Sequence, residues 1–112
     1  MRLSFLYCDK MQIANMDKLK NIHPGEILKQ EFLDVFRISA YKLSQDLNIP
    51  QTRISQIIKG KRRVTADTAL RLSEYFGTTA QFWLGLQDDY DLEEEKTKIN
   101  GELKSIPKYI AS

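Results

Sequence analysis

The sequence predicts an all-α fold, a compact bundle of five to six helices, on three observations. Apolar residues after position 21 recur at helical spacings, and Pro, Ser, Thr and Gly stand where helices begin and end. No segment sustains the alternation of a strand. A chain of 112 residues, 42% hydrophobic and 29% charged, suits one soluble domain with a single core.

The first helix opens at Asn21-Ile22-His23-Pro24-Gly25-Glu26. Proline suits the first turn, where its missing N–H is not needed, and Glu26 faces the positive end of the helix dipole. Ile27, Leu28, Phe32, Val35 and Phe36 form its apolar stripe. His23, the one histidine, is placed for capping or packing rather than for metal or catalysis. Ser39 caps a second helix with Ala40, Leu43 and Leu47 on one face. Asn48 tolerates the left-handed backbone that a tight turn needs. Pro50 then opens a third helix that runs to Lys59, turns Ile54, Ile57 and Ile58 inward, and stops at Gly60.

Thr65 caps a fourth helix, with Asp67 in its first turn and Ala69, Leu70, Leu72, Tyr75 and Phe76 as its buried stripe; Gly77 ends it. Thr78 and Gln81 have the spacing of a capping box for a fifth helix that carries Phe82, Trp83, Leu84 and Leu86. A sixth, acidic helix is expected over Asp89 to Asn100, ended by Gly101, and Pro107 makes the last residues a tail.

Residues 1–20 show no clean period. Met11 and Met16 offer alternative starts that would make the residues before them a non-native leader; otherwise Leu3, Phe5, Leu6 and Tyr7 form a strand or a docking arm. Cys8 alone makes no intramolecular disulfide and supplies one metal ligand at most. No run approaches the roughly 18 apolar residues that cross a bilayer. Asp9 and Lys10 cut the first apolar patch short of a signal-peptide core. A reducing cytoplasm and no membrane partner are the expectation.

The net charge of +2 conceals an uneven distribution. From Arg37 to Arg63 seven residues are basic and only Asp46 is acidic, 7 − 1 = +6; from 88 to 96 one is basic and six are acidic, 1 − 6 = −5. The basic stretch covers the second and third helices with their short connection, which is the helix-turn-helix pattern. In that motif the second helix enters the major groove and its N-terminal side chains meet base edges. Gln51, Thr52, Arg53 and Gln56 occupy those positions. Arginine suits the guanine O6/N7 edge, glutamine the adenine N6/N7 edge, and threonine a thymine methyl. Lys59, Lys61, Arg62 and Arg63 fall where the chain leaves the groove, and Lys42 precedes it; these five suit phosphates, which set register and affinity without reading sequence. A generic solvated face is the plainer explanation of such residues, but the basic flank and the helix pair favour double-stranded DNA.

These residues resemble the Cro/lambda-repressor-type helix-turn-helix family and, more narrowly, its HigA-type antitoxin branch, also described as virulence-associated protein I. The resemblance runs from about Asn21 to Leu92. It rests on IHPGEILKQEF, KGKRRVTADTALRLSEYFGTTAQFW and LGLQDDYDL. It implies a lambda-repressor-like DNA-binding domain, a homodimer on a palindromic operator, repression of the protein's own toxin–antitoxin operon, and capture of a small basic toxin that cuts mRNA on the ribosome. It also implies a cytoplasmic, nucleoid-associated bacterial protein with no cofactor. Ser44 and Asn48 depart from the alanine and glycine usual at their positions, and both are small or tolerant enough to keep the motif.

The chain then divides into a leader (1–20), a helix-turn-helix domain (21–87) and an acidic helix with a tail (88–112). Phe82, Trp83, Leu86 and Tyr90 either bury against a twofold mate or close the monomer's own core. A mate would set two recognition helices about one DNA turn, ~34 Å, apart. Asp88, Asp89, Glu93, Glu94 and Glu95 form the expected face for a basic toxin, since opposite potentials steer association; a solvated acidic helix is the alternative. A stand-alone repressor without a toxin has the same DNA chemistry. An enzyme is disfavoured by one histidine, one cysteine and the lack of a phosphate loop or nucleophile–base pair. A pure interaction module leaves the local +6 unexplained.

Overall fold

The computed structural model describes residues 21–110, which contain five helices and no strand. Helix α1 is continuous from an α-helical start, Pro24–Ile27, through a wide π turn, Leu28–Leu33, to a short α-helical end, Asp34–Phe36. Helices α2 (Ala40–Leu47), α3 (Gln51–Ile58), α4 (Ala66–Phe76) and α5 (Ala80–Lys104) follow. The expectations for the leader lie outside the described residues.

The core gathers one stripe from each helix. Leu28, Phe32, Leu33, Leu43, Leu47, Ile54, Ile57, Ala69, Leu72, Trp83 and Leu86 are all buried. Trp83 is fully enclosed, with its ring centre 5.0 Å from that of Phe32, and its indole N–H donates to Thr78 Oγ1 at 2.7 Å. The donor that a buried tryptophan must satisfy is therefore met within the chain.

Several ends are made as the residues predict. His23 Nδ1 accepts the Gly25 N–H at 2.9 Å, and the imidazole is buried against Tyr90, so it both caps and packs. Ser39 Oγ accepts the Lys42 N–H at 3.0 Å. Asn48 is left-handed (φ 58°, ψ 48°), and Gly60 and Gly77 each have φ of 75°.

Other expectations are corrected. Val35 and Phe36 remain 43% and 49% exposed while Leu33 is buried. The π turn admits an extra residue, which rotates every later side chain relative to the core. Leu70 is 58% exposed; α4 buries Thr68, Ala69 and Leu72 instead. Thr79, not Thr78, caps α5 by accepting the Phe82 N–H at 3.0 Å, because Thr78 is taken by Trp83. Thr65 holds the N-cap position of α4, but its hydroxyl faces that of Thr68 at 3.5 Å rather than a backbone N–H. The expected fifth and sixth helices are one. Gly101 is helical, and the only break in α5 is a bend at Ile99 (φ −111°, ψ 19°). An interior glycine weakens a helix by about 1 kcal/mol but does not stop it unless the backbone turns left-handed there.

Candidate nucleic-acid interface

Helix α3 is seated from three sides. Its inner residues Ile54 and Ile57 are fully buried. The turn before it is fixed by Asn48, whose left-handed backbone lets the Ile49 N–H reach Ser44 O at 3.1 Å. Ser44, the first departure from the family pattern, is buried and donates its hydroxyl to Tyr41 O at 2.7 Å, so it fits without an unmet polar group. Behind α3 lies the start of α1. A Cβ placed on Gly25 would come within 1.8 Å of Ile57 O, so only glycine lets the two backbones approach this closely.

The outer face then carries the groups expected to meet bases. Gln51, Thr52 and Gln56 are exposed, and Arg53 is half-buried. Arg53 Nη1 donates to Asp67 Oδ2 at 2.9 Å, and Arg71 Nε donates to both oxygens of the same carboxylate at 3.2 Å. Arg71 Nη1 also donates to Leu47 O at 2.7 Å, which completes the carbonyl end of α2. Hydrogen bonds from Arg71 and then Arg53 hold the Asp67 carboxyl below its ordinary pKa. Arg53 is thus anchored through one nitrogen, with the rest of its five-donor fork free of Asp67.

Beyond α3 the basic residues form an exposed loop. Lys59, Lys61, Arg62 and Arg63 are all exposed. Arg62 Nη1 donates to Gln56 Oε1 at 3.0 Å, which joins a residue expected on phosphate to one expected on a base. Arg63 pairs with Asp91 of α5 at 2.6 Å. The fully buried Gln87 accepts the Val64 N–H at 2.7 Å and donates to the other oxygen of Asp91 at 2.9 Å. The end of the basic loop is therefore tied to α5 by a closed set of bonds. Lys42 pairs with Asp46 at 3.0 Å, and Asp46 also accepts the Tyr75 hydroxyl at 2.6 Å; those two bonds lower the Asp46 pKa.

Sequence reasoning missed Gly25, Asp67, Arg71, Gln87 and Asp91 as parts of this site. Only the spacing was available as a signal: Asp67 and Arg71, like Gln87 and Asp91, stand four apart on a helix, where side chains meet. Their partners across the fold were not readable.

Of the residues considered for a twofold mate, Trp83 and Leu86 are enclosed in the monomer, 0% and 1% exposed, and cannot meet another chain without opening the core. Phe82 packs edge-on against Trp83 at 5.1 Å and Tyr90 against His23 at 4.8 Å. Phe82 and Tyr90 nevertheless stay half-buried, each with part of its ring at the surface. Asp88, Asp89, Glu93, Glu94 and Glu95 are exposed on α5, and Glu94 accepts from the Asn21 side chain at 3.2 Å. Among the described residues no cluster could hold a metal ion, and no helix is long and apolar enough to cross a membrane.

A helix-turn-helix family model matches residues 37–83. Virulence-associated protein I of Dichelobacter nodosus is 46% identical over 90 residues, covering 78% of this chain and 83% of that protein. The Pseudomonas aeruginosa antitoxin HigA, solved with the higBA promoter, superposes with a TM-score of 0.78 at 37% identity, over 81% of this chain and all of that one. A HigA-family addiction module antidote protein from Coxiella burnetii gives a TM-score of 0.77 at 44% identity, with 81% and 100% covered. The fold, the seated α3 with its basic loop and these similarities agree: the chain belongs to the HigA-type antitoxin branch of the Cro/lambda-repressor-type helix-turn-helix family, whose members are DNA-binding regulators and not enzymes.

Proposed function

We propose that this protein is a cytoplasmic antitoxin that binds a palindromic operator as a homodimer, represses its own toxin–antitoxin operon and neutralises a small basic toxin that cuts mRNA on the ribosome. One observation carries the DNA half of this reading. Gln51, Thr52, Arg53 and Gln56 project from a helix whose opposite face is locked into the core, and the exposed basic residues Lys59, Lys61, Arg62 and Arg63 follow it directly. The first four read bases; the loop residues, with Lys42, hold phosphates. The P. aeruginosa antitoxin solved with its promoter supports operator binding by the same fold. The exposed acids Asp88, Asp89, Glu93, Glu94 and Glu95 give the basic toxin a face of opposite charge.

The test is binding to DNA from upstream of the protein's own coding sequence, titrated across salt. With six to ten phosphates neutralised per dimer, affinity falls by roughly 10³–10⁵ between 50 and 200 mM salt. A nearly flat salt response overturns the DNA reading. Co-expression with the neighbouring reading frame tests the other half: growth arrest by that frame alone, relieved by this protein, is expected. A harmless neighbour leaves a stand-alone repressor.

A further inference from the structure

The Arg53 side chain is 28% exposed, against 63% for Lys42 and 55% for Arg63 among the residues expected on phosphate. Its guanidinium is also the end of a chain of bonds. Arg53 Nη1 donates to Asp67 Oδ2 at 2.9 Å, and Arg71 Nε donates to both oxygens of that carboxylate at 3.2 Å. Arg71 Nη1 donates in turn to the Leu47 carbonyl at 2.7 Å, where α2 ends. The chain starts on backbone that the buried Leu47 fixes, and it crosses α4 beside the fully buried Ala69 and Leu72. Gln56, by contrast, is joined to Arg62, an exposed side chain of the loop. A carboxylate beside an arginine that faces DNA is electrostatically unfavourable, because phosphates repel it. An acidic residue in the first turn of α4 does favour that helix, but this benefit requires neither arginine as a partner.

We propose that Asp67, backed by Arg71, is a specificity-determining positioning residue that presents the Arg53 fork to one base pair of the operator. This role rests on the operator binding argued above and adds to it a residue that touches no base itself. Three effects support it. An unrestrained arginine loses rotamer freedom when it engages a partner, whereas Arg53 gives up part of that freedom when the chain folds. The bond to Asp67 uses one of five donors, which leaves enough for the two parallel bonds to guanine O6 and N7. Asp67 also attracts Arg53 and repels phosphate, so it opposes the swing of Arg53 onto the backbone that sequence-independent binding would use. With Arg53 and Arg71 the local charge is 2 − 1 = +1, and neutralising Asp67 raises it to +2. Loss of Asp67 therefore acts in opposite directions on the two kinds of DNA: it weakens the specific complex and favours the non-specific one.

The test compares the full-length wild type with D67A, D67N, R53A and R53A/D67N at one salt concentration. Each is titrated with the duplex from upstream of the protein's own coding sequence, with its single-base variants, and with a shuffled duplex of the same composition. D67N keeps the side-chain shape and should hold the urea midpoint even where D67A lowers it. Both Asp67 variants should lose roughly three- to tenfold on the operator, the ordering cost of one long side chain. They should bind the shuffled duplex at least as tightly as wild type and relax preference at the base pair that R53A relaxes. In the R53A background D67N should shift operator and shuffled duplex by the same factor. Equal tightening on both duplexes makes Asp67 a repulsive charge only. Equal weakening on both, with a lowered midpoint, makes it a helix-start residue of α4. A loss of operator preference that persists undiminished without Arg53 means that Asp67 acts through another group. Each of these three results overturns the proposal, as does an R53A variant that keeps the full preference of wild type, and operator binding survives all four. A wild-type protein that does not distinguish the operator from the shuffled duplex overturns both.

Discussion

Helix α3 and the outer part of α5 both present polar, charged residues to solvent, but they are supported in opposite ways. α3 has two fully buried isoleucines beneath it, the glycine face of α1 behind it and the Arg53–Asp67–Arg71 set along its flank. Residues 92–110 have no such support and stay exposed but for Ile99. A helix that must hold four side chains in register with base pairs needs its orientation fixed before the partner arrives, and internal packing provides that. The outer part of α5 has no such frame, so beyond the Asn21–Glu94 bond its side chains are held in place by the helix alone.

That contrast predicts graded effects. The largest is Gly25→Val, which drives a side chain into the carbonyl of Ile57; separating α1 from α3 should cost about 3 kcal/mol or more in urea unfolding, with operator affinity lost alongside. An unchanged midpoint would show that α3 is not set by this contact. Gln87→Leu comes next. It fills the same space but leaves the buried Val64 N–H without an acceptor, at an expected cost of roughly 1–3 kcal/mol. Glu93→Gln on the unsupported part of the same helix should stay within about 0.5 kcal/mol.

On DNA, Arg53→Ala should lose about 1–3 kcal/mol on the operator and relax preference at one base pair, whereas Arg62→Ala should weaken all sequences alike and flatten the salt slope. Equal behaviour of the two variants would erase the division between reading and holding. The smallest effect concerns His23. Burial lowers its pKa below the ordinary 6.5, and Nδ1 must be unprotonated to accept the Gly25 N–H. The unfolded chain therefore takes up this proton first as pH falls. The stabilisation is complete above pH ~6.5 and is lost progressively below it. His23→Asn keeps a capping acceptor and should lessen the fall in stability between about pH 7 and pH 5.5.

Much of the α2–α3 unit was legible because its signals are local. Ser39, Asn48, Pro50 and Gly60 each act on the backbone at their own position, and Ile54 and Ile57 mark the inner face by spacing alone. Arg37 shows the limit. It takes the left-handed conformation at the end of α1 (φ 57°), where no glycine or asparagine announces it, and the Ile38 N–H closes the turn on Leu33 O at 2.9 Å. The π turn in α1 was equally silent, and with it the exchange of Leu33 for Val35 and Phe36 in the core. Trp83 and Leu86 were ambiguous for another reason. An apolar residue bears the same sequence signature whether its cover comes from its own chain or from a copy. Gln87, which joins the basic loop to α5, could be found only once residues 64 and 87 were seen together.

The close seating of α3 on Gly25 separates two kinds of substitution. Changes on the inner side of α3 disturb the backbone of α1 and the shared core. Changes at Gln51 and Thr52 leave the core untouched, since both side chains are exposed. If the outward residues read bases as proposed, operator preference and structural integrity are encoded by different residues of one eight-residue helix. New binding sites can arise by exchange of outward side chains while the frame that aims them stays the same, so a pair of diverging copies of this protein could cease to recognise each other's operators before either lost any stability.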